Sequence, residues 1–198
     1  MRKVRRFLVV VAHPLPESFV ASMAERVVTT LRSSGHSVRV LDLYADDFDA
    51  RLTNEEWLDR SRAASWPQLA SHVEALRWTD GLVFVYPTWF GGQPAILKGW
   101  FDRVWGEGVA YVVPEDGGRV RGLLQHVRSI TVVTTHGSTK WMNAMQGEPG
   151  KRIILRGLRS MCAMRCRTAW LAFYGNDQAE NGDRLAFLAR IEKSMAKY

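Results

Sequence analysis

Six consecutive apolar residues, Phe7, Leu8, Val9, Val10, Val11 and Ala12, with a helical pattern following soon after, constrain this chain more than any other feature. A strand that shows no polar alternation is buried on both faces, and strands of that type occur inside parallel sheets. The helix after it opens at Ser18 as N-cap, repeats Val20, Ala24, Val27, Val28 and Leu31 at helical spacing, and stops at Gly35. The same unit recurs down the chain. Strands are expected at 38–41, 82–86, 130–135 and 169–174, and helices at 67–78, at 94–105 with Pro94 in the first turn, at 151–161 and at 183–195. The charged stretch 42–65 carries a short helix near 53–60, and 110–123, with Pro114, Glu115, Asp116, Gly117 and Gly118, reads as an excursion between helix and strand. Alternating strands and helices make an α/β protein, a doubly wound five-stranded parallel sheet with helices on both faces. Right-handed crossovers favour the strand order 2-1-3-4-5. A length of 198 residues suits one domain over 1–198.

Composition narrows the function classes. No apolar run approaches the roughly 20 residues that span a bilayer, which excludes an integral membrane segment. Arg2, Lys3, Arg5 and Arg6 precede the first apolar run as in a secretory leader. That run ends at His13 and Pro14, short of the usual leader core of about 7–15 residues, and no small-residue cleavage site follows. Two cysteines, Cys162 and Cys166, make no disulfide framework and read as core residues, so the expected compartment is the cytoplasm. The charge of +7 is scattered apart from the N-terminal cluster and Lys151, Arg152, Arg156 and Arg159, which argues against a nucleic-acid partner. The five histidines lack metal-ligand spacing, so no metal is expected. His36, His72 and His126 read as surface residues, Lys98 and Arg103 as helix-surface charges, and Trp100, Phe101, Val104 and Trp105 as core or dimer contact.

In an open parallel sheet the ligand lies beyond the carboxyl ends of the strands where the order reverses, here strands one, three and four. Three segments end there. Residues 13–19 open a helix and present free backbone N–H groups to an anion, without the glycine pattern of dinucleotide or Walker loops. Residues 87–94 combine Trp89 and Phe90 with Gly91 and Gly92. Two aromatic faces and close backbone approach suit a flat ligand, although the two rings would equally serve to cap the core. Residues 134–138, Thr134, Thr135, His136, Gly137 and Ser138, offer hydroxyls and amides to a ring edge, as a plain β–α turn also would.

Ala12-His13-Pro14 with Ser18-Phe19, Asp42-Leu43-Tyr44-Ala45, and above all the run 86–104, Tyr-Pro-Thr-Trp-Phe-Gly-Gly-Gln-Pro-Ala-Ile-Leu-Lys-Gly-Trp-Phe-Asp-Arg-Val, resemble the flavodoxin-like NAD(P)H:quinone oxidoreductases. The resemblance covers nearly the whole chain, the last third mainly in element order. It implies a flavin, FMN or FAD, at the switch point. NAD(P)H as hydride donor and a quinone-like acceptor would alternate over its exposed face in ping-pong fashion, in a homodimer whose interface borders the site. Carried over by position, His13, Ser18 and Phe19 would hold the phosphate and ribityl side. Val20 stands where the family usually has Asn, which removes one polar contact. Pro87, Thr88, Trp89, Phe90 and Gly91 would border the ring system, and Thr134, Thr135, His136, Gly137 and Ser138 its other edge. Some members carry a Tyr and a His beyond the fourth strand that assist hydride transfer. This chain has no His after His136 and no Tyr between Tyr111 and Tyr174. His136 and Trp141 are the nearest replacements, His136 the better one because imidazole exchanges protons near neutral pH. Two other functions fit such a chain. A flavodoxin-type electron carrier would want a Thr/Ser-rich phosphate loop and an acidic docking face, both missing here, and an ancillary regulatory subunit of a membrane transport system would leave no mark in the residues.

Overall fold

The computed structural model describes residues 4–59 and 65–198, so Arg2, Lys3 and Arg60, the end of the expected helix at 53–60, lie outside the described residues. The chain runs through β1 (Arg6–Val11), α1 (Phe19–Ser33), β2 (Ser37–Asp42), a short α2 (Asn54–Leu58), α3 (Ala70–Trp78), β3 (Gly81–Pro87) and α4 (Ala95–Val104). The excursion that follows holds a small antiparallel ribbon of β4 (Tyr111–Val112) and β5 (Arg121–Gly122). Then come β6 (Ser129–His136), α5 (Lys140–Met145), α6 (Pro149–Arg152), β7 (Arg167–Tyr174) and α7 (Asn181–Met195). The five long strands pair in parallel in the order β2-β1-β3-β6-β7, the expected 2-1-3-4-5 pattern once the ribbon is set aside.

Period-two alternation divides the apolar runs between two layers. Leu8, Val10, Leu82, Phe84, Tyr86, Ile130 and Val132 face one core with Leu76, Leu97 and Trp100, while Phe7, Val9, Val11, Val83, Val85 and Val133 face the other beneath α1 and α7. Every residue of β3 and β6 is buried, as covering both faces requires. Ser37, Arg39 and Val40 stay exposed on β2, where a charge protects an open sheet edge. Trp100, Phe101, Val104 and Trp105 belong to the core, with Phe84 and Phe101 edge-to-face at 5.3 Å. Cys162 and Cys166 are buried free thiols.

Several expectations are corrected. Arg103 is no surface charge: it is buried, and its Nε meets Glu56 Oε2 at 3.0 Å while its terminal nitrogens bond Glu56 Oε1 and the Asp49 carbonyl. Glu56 supplies the opposite charge that lets a guanidinium stay out of water. His36 and His72 are buried as well. The indole N–H of Trp100 donates to His72 Nδ1 at 3.2 Å and the Phe48 ring lies 4.9 Å from it, so a neutral imidazole serves as a core acceptor. His36 packs 5.3 Å from Phe7 and receives the Arg5 amide at 3.3 Å. His126 is half-buried, with a ring nitrogen 3.2 Å from the Leu76 carbonyl. The expected single helix at 151–161 is α6, a wide π turn at Ile153–Gly157 and a tight 3-10 turn at Leu158–Met161. The backbone changes winding to bring the Met161 carbonyl to the Leu124 amide at 3.0 Å, against Gly122, where a Cβ would strike Met161. Pro94 caps α4 from outside, at φ −54° and ψ 148°, instead of occupying its first turn.

Candidate active site

The carboxyl ends of β1, β3 and β6 open onto a cavity of about 440 Å³. Nine of the residues singled out from sequence line it: His13, Phe19, Val20, Pro87, Thr88, Trp89, Phe90, Thr135 and Gly137. Ser18, Gly91, Thr134, His136 and Ser138 are not part of the lining, nor is Trp141, an exposed side chain on α5.

One end of the cavity is built by the start of α1. Ser18 is the N-cap, its Oγ accepting the Ala21 amide at 3.2 Å, which leaves the Phe19 and Val20 amides as the helix's orphan donors. No acidic residue occupies the first turn, so the positive helix end is uncompensated. Val20 buries its side chain in the core and also lines the cavity. His13 Nδ1 lies 3.0 Å from the Leu15 amide and 3.2 Å from the Leu15 carbonyl, so that nitrogen is engaged within the loop in either tautomer. His13 therefore caps its own loop and also borders the cavity.

The opposite wall is a tight turn. Trp89 and Gly92 exchange N–H···O bonds of 3.1 and 3.0 Å, with Phe90 at φ 49° and Gly91 at φ 74° between them, the two positive angles of a type I′ hairpin turn. Gly91 adopts that angle freely, whereas Phe90 is a bulky residue in a region costing about 1–2 kcal/mol. The turn is anchored from behind by Gly150 N to Gly91 O at 3.0 Å and Gln93 Nε2 to Gly150 O at 2.7 Å. Trp89 is 43% and Phe90 110% exposed, so neither caps the core; both present ring faces beside the cavity.

Behind Thr88 lies a buried polar network. Thr88 Oγ1 sits 2.8 Å from Thr134 Oγ1 and 3.3 Å from His136 Nε2. His136 Nδ1 meets Asn143 Oδ1 at 2.7 Å, and Asn143 Nδ2 donates to Ser138 Oγ and the Thr139 carbonyl, both at 2.8 Å. The Tyr174 ring stacks on His136 at 4.7 Å, and the Tyr174 hydroxyl donates to Glu148 Oε1 at 3.4 Å. Burial lowers the His136 pKa against the opposing pull of Asn143 and the Glu148 charge, so the ring is neutral at pH 7. Both ring nitrogens are engaged within the protein, and His136 reaches the cavity through Thr88.

Sequence reasoning missed Asn176 and Asp177, which complete the lining. Asn176 Oδ1 is a buried acceptor with no partner in the protein. Asp177 lies so close to Gly137 that a Cβ there would fall 2.6 Å from its carboxylate. Their position just past the fifth strand was the available signal, since all strand ends of a parallel sheet share one side. Among the described residues, no group of three or more His, Cys, Asp or Glu could hold a metal ion.

Comparison with known proteins places this geometry. A family model described as flavodoxin-like fold matches residues 5–195. NAD(P)H dehydrogenase (quinone) 1 of Cavia porcellus is 30% identical over 172 residues, 78% of this chain and 62% of that protein. The chain spans less than two thirds of the length of the first curated relatives it matches. Among solved structures, Smu.1420 of Streptococcus mutans is 28% identical with a TM-score of 0.87, covering 98% of this chain and 100% of that one. NAD(P)H:quinone oxidoreductase of Methanothermobacter marburgensis is 25% identical with a TM-score of 0.80, covering 98% and 96%. The sheet order, the cavity at its reversal and the match over nearly the whole length agree: this chain belongs to the family of flavodoxin-like fold.

Proposed function

We propose that this chain is a flavin-dependent oxidoreductase passing hydride from NAD(P)H to a quinone or similar acceptor. The observation that carries the reading is the two-part cavity, with orphan amides and the His13 ring at one end and a rigid aromatic turn at the other. Its volume is in the range of cofactor sites. The partnerless Asn176 Oδ1 fits a ligand with hydrogen-bond donors, and Asp177 suits hydroxyls on a polyol chain. Two relatives are named for the same chemistry: the Methanothermobacter protein as an NAD(P)H:quinone oxidoreductase and the Cavia protein as an NAD(P)H dehydrogenase (quinone).

A bound flavin would supply two-electron transfer between the nicotinamide and the acceptor. His13, Ser18, Phe19 and Val20 would hold its phosphate or ribityl side, Ser18 by fixing the helix end. Pro87, Thr88, Trp89, Phe90 and Gly91 would border the ring, with Thr134, Thr135, His136, Gly137 and Ser138 forming and backing its other edge. His136, with no direct access to the cavity, acts as a positioning residue through Thr88. Donor and acceptor share one open face in turn. Residues 1–198 act as a single flavin-binding domain, in a homodimer, in a cytoplasm reducing enough to suit two free thiols. No described helix is long and apolar enough to cross a membrane.

Purified protein is expected to carry or take up one flavin per chain, identified as FMN or FAD by mass after release. It should oxidise NADH or NADPH with a quinone and give parallel double-reciprocal lines. Colourless protein that takes up neither flavin would overturn the reading, and intersecting lines would overturn the shared cavity.

A further inference from the structure

Within that reading of the cavity as a flavin site, we propose that His136 sets the Thr88 hydroxyl as a hydrogen-bond acceptor toward the bound ligand, which meets it with a donor group.

Asn143 Nδ2 lies 2.8 Å from the Thr139 carbonyl, which only accepts, so the amide cannot be turned over without setting oxygen against oxygen. Its Oδ1 therefore faces His136 Nδ1, and at 2.7 Å that nitrogen must carry the proton. A neutral ring protonated at Nδ1 leaves Nε2 as a lone pair, so the Thr88 hydroxyl donates to it across 3.3 Å. With its hydrogen used there, Thr88 Oγ1 is the acceptor of the 2.8 Å contact, the Thr134 hydroxyl donating to it in preference to the Thr135 carbonyl at 3.4 Å, and one lone pair is left for a group in the cavity that Thr88 lines. Three side chains on two elements, Asn143 on α5 and His136 and Thr134 on β6, thus orient one hydroxyl.

The chain of bonds inverts when His136 takes a second proton. Nε2–H then donates to Thr88 Oγ1 beside the Thr134 hydroxyl, which uses both lone pairs and leaves the Thr88 hydrogen to point into the cavity. The groups facing His136 are Asn143 on α5, the stacked Tyr174 ring and the Trp170 ring 6.2 Å away on β7, the Thr88 and Thr134 hydroxyls, and the Glu148 carboxylate, itself held by Lys151 at 2.7 Å and by Tyr174. Glu148 favours the imidazolium, and burial opposes it more strongly. Affinity for a donor-bearing ligand should fall on acidification through the lowered His136 pKa.

Three measurements on the full chain test this. Long-range 1H–15N NMR of the ligand-free protein at pH 7 should show His136 as the Nδ1–H tautomer; the Nε2–H tautomer overturns the proposal whether or not flavin binds. FMN titration at pH 7 should weaken about 2- to 10-fold in Thr88→Val and recover in Thr88→Ser; equal affinity in all three, with flavin bound, overturns it while leaving the flavin reading intact. In the wild type FMN affinity should drop as the pH falls below the ordinary histidine range, and His136→Gln, which cannot titrate, should flatten that drop. A drop that persists unchanged in His136→Gln overturns the assignment to this ring. Should His136→Gln fail to fold, the tautomer and the Thr88 pair still decide the matter.

Discussion

Arg103 shows how far one residue can depart from its apparent place. It sits in an amphipathic helix where a basic residue ordinarily faces water, yet its guanidinium is buried against Glu56, 47 positions earlier. Glu56 is also the third residue of α2, where it completes a capping box with Thr53. Burial pushes the Glu56 pKa up, but the Arg103 bonds and charge, the Thr53 amide and Gln68 outweigh it and bring the group below its ordinary value. Stability from this carboxylate is therefore complete above the carboxyl's unfolded pKa and is lost as pH falls through the lower folded one. Arg103→Met should destabilise the protein by about 3–5 kcal/mol at pH 7, because it strands a buried carboxylate. The loss should shrink below about pH 4, where Glu56 is protonated in the variant. Urea unfolding of both proteins at the two pH values measures it, and an equal loss at both would refute the account. Nothing local in the sequence marks this pair, since each partner lies within a segment that reads as ordinary amphipathic helix.

At the scale of elements, the turn after β3 concentrates the function. Its aromatic and glycine content is legible in residues 87–94, but that Trp89 and Phe90 face outward depends on the hairpin closing and on Gly150 tying it down. Gly91 and Gly108 hold nearly the same backbone angle, φ 74° and 76°, so they are matched for the strain a side chain would add. Replacing either with Val should cost on the order of 1–2 kcal/mol in thermal unfolding. Only Gly91→Val should loosen flavin retention, because the strain at φ 74° falls next to Phe90 in the turn that lines the cavity. Equal flavin retention in the two variants would contradict the placement. The segment 151–161 teaches the opposite lesson. Its apolar spacing announces a helix, and its change from α to π to 3-10 winding arises from the demand of the Met161 carbonyl for the Leu124 amide.

For the whole molecule, the loops and helix that follow β3 and β6 carry exposed apolar side chains: Phe90 at 110%, Trp141 at 70% and Met145 at 69% exposed. The proposed homodimer would cover such surface and wall the cavity with a second copy. Sedimentation of the wild type should give a dimer, and Trp141→Ser with Met145→Ser should shift it toward monomer, slowing quinone turnover without releasing flavin. A monomeric wild type would remove the dimer from the account. Sequence alone determined the strand–helix alternation, the two-sided burial of the central strands, the sheet order, and eight residues of the cavity wall, because periodicity and chain chirality act locally and parallel strands must end together on one side; Val20 came from the family resemblance. Only the tertiary structure decided that Arg103 and His72 are core residues, that Asn176 and Asp177 close the cavity, and that His136 stands behind Thr88. Those outcomes depend on hydrogen-bond and charge partners brought from distant segments, and a buried polar group is defined by the partner that satisfies it.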